Sequence, residues 1–232
     1  HIEPSLEVAE PRDDATVAGL APISAGVAAA LKVLTRAVGA KAVVEVGTLM
    51  GASGLSFLDA MGSDGVLTSI DPEADNQLPA RALFLKAGHR TAQFRLIAGA
   101  PLEVMPKLRD GAYDVVFVNG DKLEYVEYVA GALRLLRHGG LLIVNDALWH
   151  NLVADEADEA DETIIIREAL DAVTASESYT QALLPVGNGL LVFADDTAAD
   201  PTEPYIADID DARNLPGGFT QARRQSVRGL VE

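Results

Sequence analysis

Acidic residues and glycines stand at the ends of two apolar segments that lie about one βα unit apart. Glu45 and Gly47 end the first segment, Gly51 and Ser53 follow closely, and Asp71 ends the second segment. Glycine lets a backbone approach a ligand where a Cβ would collide. A carboxylate after the second strand of an open α/β sheet accepts hydrogen bonds from two ribose hydroxyls. The spacing therefore predicts a site for an adenosine-containing cofactor.

The glycine spacing also indicates which adenosine cofactor is bound. A dinucleotide site uses G-x-G-x-x-G to seat a pyrophosphate at a helix N-terminus, but Leu49 stands where the middle glycine is needed. The observed G-x-x-x-G turn suits a zwitterionic amino acid better, which favours S-adenosylmethionine. Ser53 is a candidate to hold its carboxylate, and Glu45 or nearby carbonyls are candidates to hold its ammonium. Alternatively, the glycines only tighten a turn between strand and helix.

Nearly continuous apolar segments, typical of strands covered on both faces, predict the elements that position these residues. The predicted parallel strands are 42–46, 66–70, 94–98, 115–119 and 141–145. Helical patterns fill the gaps between them: Ser24 and Gly39 suit the two ends of a first helix, and Pro101 suits a first helical position. Apolar residues at a spacing of three and four predict a helix over 125–136, and another helix follows over 163–175.

The last two predicted strands, 179–184 and 190–194, are joined by only five residues. So short a connection requires an antiparallel pair. Repeated βα units closed by a hairpin predict an α/β fold with a Rossmann-like seven-stranded sheet, mostly parallel with a C-terminal antiparallel hairpin. This is the sheet of class I methyltransferases and is not the plan of a dehydrogenase.

Composition restricts the function classes. The 232 residues are 49% hydrophobic and include no cysteine, which excludes disulfides, zinc–thiolate sites and a thiol nucleophile. The formal charge of −17 is concentrated in two acidic stretches, 155–162 and 195–211. Such a chain has no basic surface for nucleic acid or an anionic membrane, so no nucleic-acid or membrane partner is expected. The absence of a recognisable leader predicts a cytoplasmic protein.

Three regions are expected along the chain. An N-terminal segment covers 1–21, the predicted α/β domain covers 22–194, and a tail covers 195–232. The tail is acidic in its first half and carries four arginines in its second half.

The chain resembles the bacterial catechol-type, S-adenosylmethionine-dependent O-methyltransferases from about residue 22 to residue 194. Several segments carry the resemblance in order: Glu45-Val46-Gly47-Thr48, Gly54 to Phe57, Asn119-Gly120-Asp121-Lys122, Tyr125, Tyr128, Leu135 to Gly140 and Leu148-Trp149. The resemblance implies methyl transfer to a small, aromatic hydroxyl acceptor and assembly as a homodimer.

The resemblance also implies roles for individual residues. The cofactor-binding residues are Glu45, Gly47, Ser53, Asp71, the backbone of Gly99 and Ala100 beside the adenine, and Asn119. Lys122 corresponds to a lysine near the catalytic centre and is the candidate catalytic residue. As an ammonium it would stabilise a forming phenolate, and with a lowered pKa it would accept a proton. Alternatively, Lys122 is an ordinary surface residue of an exposed loop.

The chain departs from the family at the metal ligands. The family offers two carboxylates and one amide oxygen to magnesium, whereas the corresponding residues here are Asn119, Asn145 and Asp146. A hard divalent cation prefers charged oxygens, so this set predicts weak or absent binding of magnesium. Alternatively, Asp146 and the two amide oxygens suffice for magnesium, with water and substrate oxygens filling the remaining positions, or the asparagines only cap strand ends. Three functions stay open: an active O-methyltransferase, an S-adenosylmethionine-binding protein with little catalysis, and a nicotinamide dehydrogenase.

Overall fold

The computed structural model describes residues 23–174 and 179–195, which form a seven-stranded sheet covered by helices on both faces. The strands are β1 (Ala42–Val46), β2 (Val66–Asp71), β3 (Phe94–Ala98), β4 (Tyr113–Val118), β5 (Leu136–Asn145), β6 (Tyr179–Leu184) and β7 (Leu190–Asp195). The helices are α1 (Ala25–Ala37), α2 (Ala52–Ala60), α3 (Ala74–Lys86), α4 (Pro101–Val104), α5 (Tyr125–Leu135) and α6 (Asp161–Thr174).

The strand order β3-β2-β1-β4-β5-β7-β6 confirms the predicted fold class. Strands β1 to β5 are parallel, while β7 runs antiparallel to both β5 and β6. The chain leaves β1 on one side towards β2 and returns on the other side to β4. This reversal opens a crevice at the carboxyl ends of β1 and β4, where ligands bind in open α/β sheets.

The core lies in two layers because successive side chains of a strand point to opposite faces. Val43 packs in one layer with Phe57 and Phe117, whose ring centroids are 5.6 Å apart. Val44 packs in the other layer, with Tyr128 of α5. Both layers exclude water, which explains why the strands read as continuous apolar segments.

Most predicted element boundaries agree with the structure. The Ser24 hydroxyl accepts a hydrogen bond from the amide of Val27, as expected of an N-cap, and Gly39 follows the end of α1 with a φ of +64°. Pro101 begins α4. Strand β2 extends to Asp71, one residue beyond the prediction.

Strands β4 and β5 differ from the prediction at their ends. Strand β4 begins at Tyr113 and ends at Val118, so Asn119 follows the strand. Leu136, predicted as a helical residue, is extended and pairs with Tyr113, which starts β5 five residues early. Leu136 is buried like the helical residues before it, so helical periodicity continued past the actual helix end.

The last helix and strand also differ slightly from their predicted limits. Helix α6 begins at Asp161, which places the last two acids of the 155–162 stretch in its first turn. Asp195 belongs to β7, one residue beyond the predicted domain limit. The predicted N-terminal segment, and the tail from residue 196 onward, lie outside the described residues. Within 23–174 and 179–195, no helix is both long and apolar enough to cross a membrane.

Candidate active site

The turn after β1 is built around a glycine that no other residue can replace without a shift. Gly47 has a φ of +95°, and a Cβ at this position would lie 2.3 Å from the carbonyl oxygen of Asn119. The close approach of the β1 and β4 ends therefore requires glycine here. Met50 and Gly51 also have positive φ, at 66° and 97°, so the backbone winds tightly into α2.

Asp71, the acid at the end of β2, accepts hydrogen bonds from the backbone of this turn. Its side chain is 2% exposed and its Oδ2 accepts hydrogen bonds from the amides of Thr48 (2.9 Å) and Leu49 (3.2 Å). The Oδ1 accepts from the amide of Glu73 at 2.9 Å, and Asn76 Nδ2 lies 3.1 and 3.2 Å from the two oxygens. Asp71 is thus placed at the crevice, and protein donors already surround its carboxylate.

Glu45 lies beneath the turn and is completely buried. Its Oε2 accepts a hydrogen bond from the Ser69 hydroxyl at 2.5 Å, while its Oε1 has no hydrogen-bond partner among the described residues. Burial raises the pKa of Glu45 from 4.5 to about 7, although hydrogen bonds from Ser53 and Ser69 oppose the increase. Ser53, predicted to contact the cofactor, is therefore a neighbour of this carboxyl and is itself 1% exposed.

Gly99 and Ala100 lie beside the end of β2. The amide of Gly99 donates to the carbonyl oxygen of Asp71 at 3.0 Å, and Ala100 is the exposed N-cap of α4. The structure therefore brings both predicted adenine-flanking residues to the edge that carries Asp71.

Asn119 and Asn145 meet at the carboxyl ends of β4 and β5. Asn145 Nδ2 donates a hydrogen bond of 2.8 Å to Asn119 Oδ1, and both side chains are buried. The Oδ1 of Asn145 has no partner among the described residues. A buried acceptor without a donor costs free energy, on the order of 1–3 kcal/mol, which a bound hydroxyl would recover.

Lys122 is not an ordinary surface residue, because its side chain is only 13% exposed. Its Nζ lies 2.9 Å from Oδ2 of Asp146 and donates to the Tyr125 hydroxyl. The Tyr125 hydroxyl in turn donates to the carbonyl oxygen of Asn145 at 3.2 Å. Burial lowers the pKa of Lys122 from 10.5, and Asp146 opposes the decrease.

Two aromatic rings lie near the Lys122 ammonium. Its Nζ lies 4.5 Å from the centroid of the Tyr125 ring and 5.8 Å from that of the Trp149 ring. Trp149, His150 and Asn151 all have positive φ, which makes this turn unusual for residues with a Cβ. His150 is exposed beside the Trp149 ring.

Sequence reasoning did not identify the partners that hold these groups. Tyr125 was predicted as an apolar helix position and is one of the residues that carry the family resemblance, but its contact with Lys122 was not predicted. Its place three residues after Lys122 puts both on one side of the turn that begins α5. Ser69 and Asn76 were not singled out. Their positions could have indicated a role, because Ser69 lies two residues before Asp71 and Asn76 five residues after it, next to the carboxyl edge of the sheet.

The candidate metal ligands are already engaged with one another and with Lys122. Asn119 Oδ1 accepts from an amide group, and Asp146 pairs with an ammonium. Across the described part of the chain, no three His, Cys, Asp or Glu side chains are grouped so that they could hold a metal ion. Two amides and one paired carboxylate do not fit a divalent cation.

A cleft of about 190 Å³ lies away from this site, next to the amino end of β1. It is lined in part by Thr35, Arg36, Lys41 and Asp64. None of the predicted functional residues lines it, so the candidate site is the crevice at the carboxyl edge.

Several known proteins are similar to this chain in sequence and structure. A family model described as O-methyltransferase matches residues 13–194. A putative O-methyltransferase of Mycobacterium sp. (strain JLS) is 41% identical over 200 residues, which cover 84% of this chain and 91% of that protein. A crystal structure of a Corynebacterium glutamicum protein superposes with a TM-score of 0.79 at 30% identity, covering 86% of this chain and 94% of the other.

A crystal structure of an O-methyltransferase from Streptomyces achromogenes, in complex with S-adenosylmethionine, has a TM-score of 0.76 at 23% identity. It covers 84% of this chain and 91% of that protein, and at this identity it supports the fold alone. The family model and the mycobacterial relative exclude the dehydrogenase alternative. The chain belongs to the O-methyltransferase family.

Proposed function

We propose that this protein transfers a methyl group from S-adenosylmethionine to the hydroxyl oxygen of a small aromatic acceptor. The observation that carries the proposal is the buried Lys122 ammonium, which lies at the same sheet edge as the Gly47 turn. A positive charge held in a partly dehydrated site stabilises an oxygen that becomes negative during the reaction. The family membership supplies the reaction class.

The crevice fits the cofactor in three respects. The turn from Gly47 to Gly51 leaves the backbone close to a ligand, and Asp71 presents a carboxylate beside it. The partnerless Oε1 of Glu45 marks a buried acceptor near the same turn. Ribose hydroxyls would reach Asp71 by replacing its longest contacts, those from Asn76 and Leu49. When bound, S-adenosylmethionine would supply a methyl group activated by a sulfonium.

The residues of the chain then have to align one oxygen and stabilise its charge. The acceptor oxygen forms a bond to the methyl carbon as the carbon–sulfur bond breaks, and the hydroxyl proton is released. Lys122 Nζ would donate to this oxygen, since Asp146 and Tyr125 fix the ammonium from two sides. Asn145 Oδ1 would accept a hydrogen bond from a hydroxyl of the acceptor.

The surroundings of the ammonium favour an aromatic acceptor. The centroid of the half-buried Trp149 ring lies 5.8 Å from Lys122 Nζ, whereas the Tyr125 ring, 4.5 Å from Nζ, is completely buried and is not open to a ligand. A planar acceptor would stack on the Trp149 ring in offset or edge-to-face geometry. We assign this function to the predicted domain, residues 22–194, and we propose a homodimer on the basis of the family resemblance. Light scattering that reports only a 24.4 kDa species would contradict the dimer.

Two measurements test the proposed function. Calorimetry should detect binding of S-adenosylmethionine and no binding of nicotinamide cofactors. A screen of phenols, catechols and caffeoyl derivatives with labelled methyl donor should yield a labelled ether product. Binding without turnover of any acceptor would instead favour a protein that binds the cofactor with little catalysis. Absence of binding at millimolar ligand would contradict the proposal.

A further inference from the structure

The side chains at the ends of β4 and β5 form a site with one negative and one positive charge. Asp146 provides the only carboxylate among Asn119, Asn145 and Asp146, and Lys122 Nζ lies 2.9 Å from it. The amide of Asn145 points its Nδ2 at Asn119 Oδ1, so a donor faces the oxygen that a metal ion would use. A divalent cation here would face an ammonium and would gain one shared carboxylate.

Besides Asp146, two polar groups contact the Lys122 ammonium. The hydroxyl of Tyr125 accepts from Lys122 Nζ and donates to the Asn145 carbonyl oxygen, which ties the lysine to the end of β5. Tyr125 is completely buried in the core layer that contains α5. A third contact, 3.4 Å from Nζ to the Gly120 carbonyl oxygen, lies on the β4 side. Lys122 thus contacts residues at the ends of both β4 and β5.

We propose that the Lys122 ammonium is itself the cation of this site, so that methyl transfer needs neither a divalent metal nor an acceptor able to chelate one. This inference rests on the proposed function. A metal ion with two free positions selects vicinal diols, because both oxygens bind it. An ammonium acts on one oxygen as a hydrogen-bond donor and a charge. The acceptor class therefore includes aromatic compounds with a single hydroxyl, and the hydroxyl proton is released to water.

Binding of Mn²⁺ tests the assignment of the cation without requiring turnover. The probe is Mn²⁺ titrated into protein saturated with S-adenosylhomocysteine and followed by electron paramagnetic resonance. We expect no binding to the unmodified protein below about 1 mM, and at least about tenfold tighter binding to the double variant N119D/K122M, which exchanges the ammonium for a second carboxylate. Lys107→Met, at an exposed lysine, is the control for loss of one positive charge.

Two results would overturn the proposal. The first is binding of Mn²⁺ to the unmodified protein at about 100 µM or tighter that Asp146→Asn abolishes, since Asp146 would then be a metal ligand. The second is an N119D/K122M protein that folds, by circular dichroism, yet binds Mn²⁺ no better than the unmodified protein.

The acceptor class is tested by comparing phenol and catechol as substrates, each with and without a chelator. We expect rates within about threefold of each other and no effect of the chelator, because one oxygen suffices. Turnover of catechol alone, lost with the chelator and restored by magnesium, would overturn the inference. If no acceptor reacts while Mn²⁺ behaves as expected, the proposed function fails and the assignment of the cation stands.

Discussion

Replacing Glu45 with glutamine should make the protein more stable at alkaline pH. Glu45 is completely buried, its Oε1 has no partner among the described residues, and its pKa is raised from 4.5 to about 7. The unfolded chain releases this proton near pH 4.5, whereas the folded chain holds it until about pH 7. The contribution of Glu45 to stability is therefore fully present below pH 4.5 and is lost as pH rises to about 7.

The size of the effect follows from the shift in pKa. A rise from 4.5 to about 7 corresponds to a loss of roughly 3 kcal/mol of stability above pH 7, at about 1.4 kcal/mol for each pH unit. Glutamine has the same shape and no charge, and it retains an oxygen that can accept from Ser69. Its extra amide donor costs about 1–3 kcal/mol, but this cost does not change with pH.

Urea unfolding at pH 5, 6, 7 and 8 measures the difference in unfolding free energy between Glu45→Gln and the unmodified protein. We expect that difference to move in favour of the variant by about 2–3 kcal/mol across this range, with an unchanged denaturant slope. Glu103→Gln, at an exposed glutamate, controls for the loss of one formal charge. A difference that stays constant to within about 0.5 kcal/mol from pH 5 to pH 8 would refute burial of the Glu45 carboxyl as the cause.

Three further predictions concern the site and the domain limits. Lys122→Met should lower kcat by about 10²–10³ with a small change in KM, since it removes one donor to the forming oxyanion; an unchanged kcat would contradict its role. Asp71→Ala should weaken S-adenosylmethionine binding by about 1.5–3 kcal/mol in calorimetry, whereas Asn76→Ala, which frees the same carboxylate, should not weaken it. Deleting residues 197–232 should leave cofactor binding intact, because strands β1–β7 are retained; an insoluble or non-binding product would contradict this limit.

The positions of the strands along the chain could be predicted from the sequence because each one is a separate apolar segment bounded by glycine, proline or an acid. Strand β1 was predicted with its observed ends, and the five-residue connection before Leu190 required the antiparallel hairpin. The start of β5 could not be predicted, since Leu136 is apolar and buried whether the chain is helical or extended. Leu136 is extended where it pairs with Tyr113 of the neighbouring strand, and the register shifts before Val115; this pairing depends on the partner strand and is not visible in the local sequence.

The sequence predicted where the residues of the candidate site lie, but it did not predict which side chains contact one another. Parallel strands bring their carboxyl ends to one edge, so Asp71, Asn119 and Asn145 had to be neighbours of the glycine turn. The partners of Lys122 depend on side-chain directions that no pattern encodes: Asp146 is 24 residues away, and Tyr125 looked like a core residue of α5. The burial of Lys122 distinguishes it from an ordinary surface lysine. This burial became visible only in the three-dimensional structure.

Charge balance links the two asparagines at the strand ends, Asn119 and Asn145, to the neighbouring lysine, Lys122. Lys122 and Asp146 neutralise each other in a site where their side chains are 13% and 19% exposed. A divalent cation added near Lys122 would leave an excess of two positive charges, and its repulsion from an ammonium about 4 Å away is of the order of 8 kcal/mol at an effective dielectric constant of about 20. Carboxylates in place of Asn119 and Asn145 would remove that excess and favour a metal ion. The two asparagines and the buried lysine are therefore one coupled feature, so restoring the carboxylates without removing the ammonium should recover only part of the metal affinity.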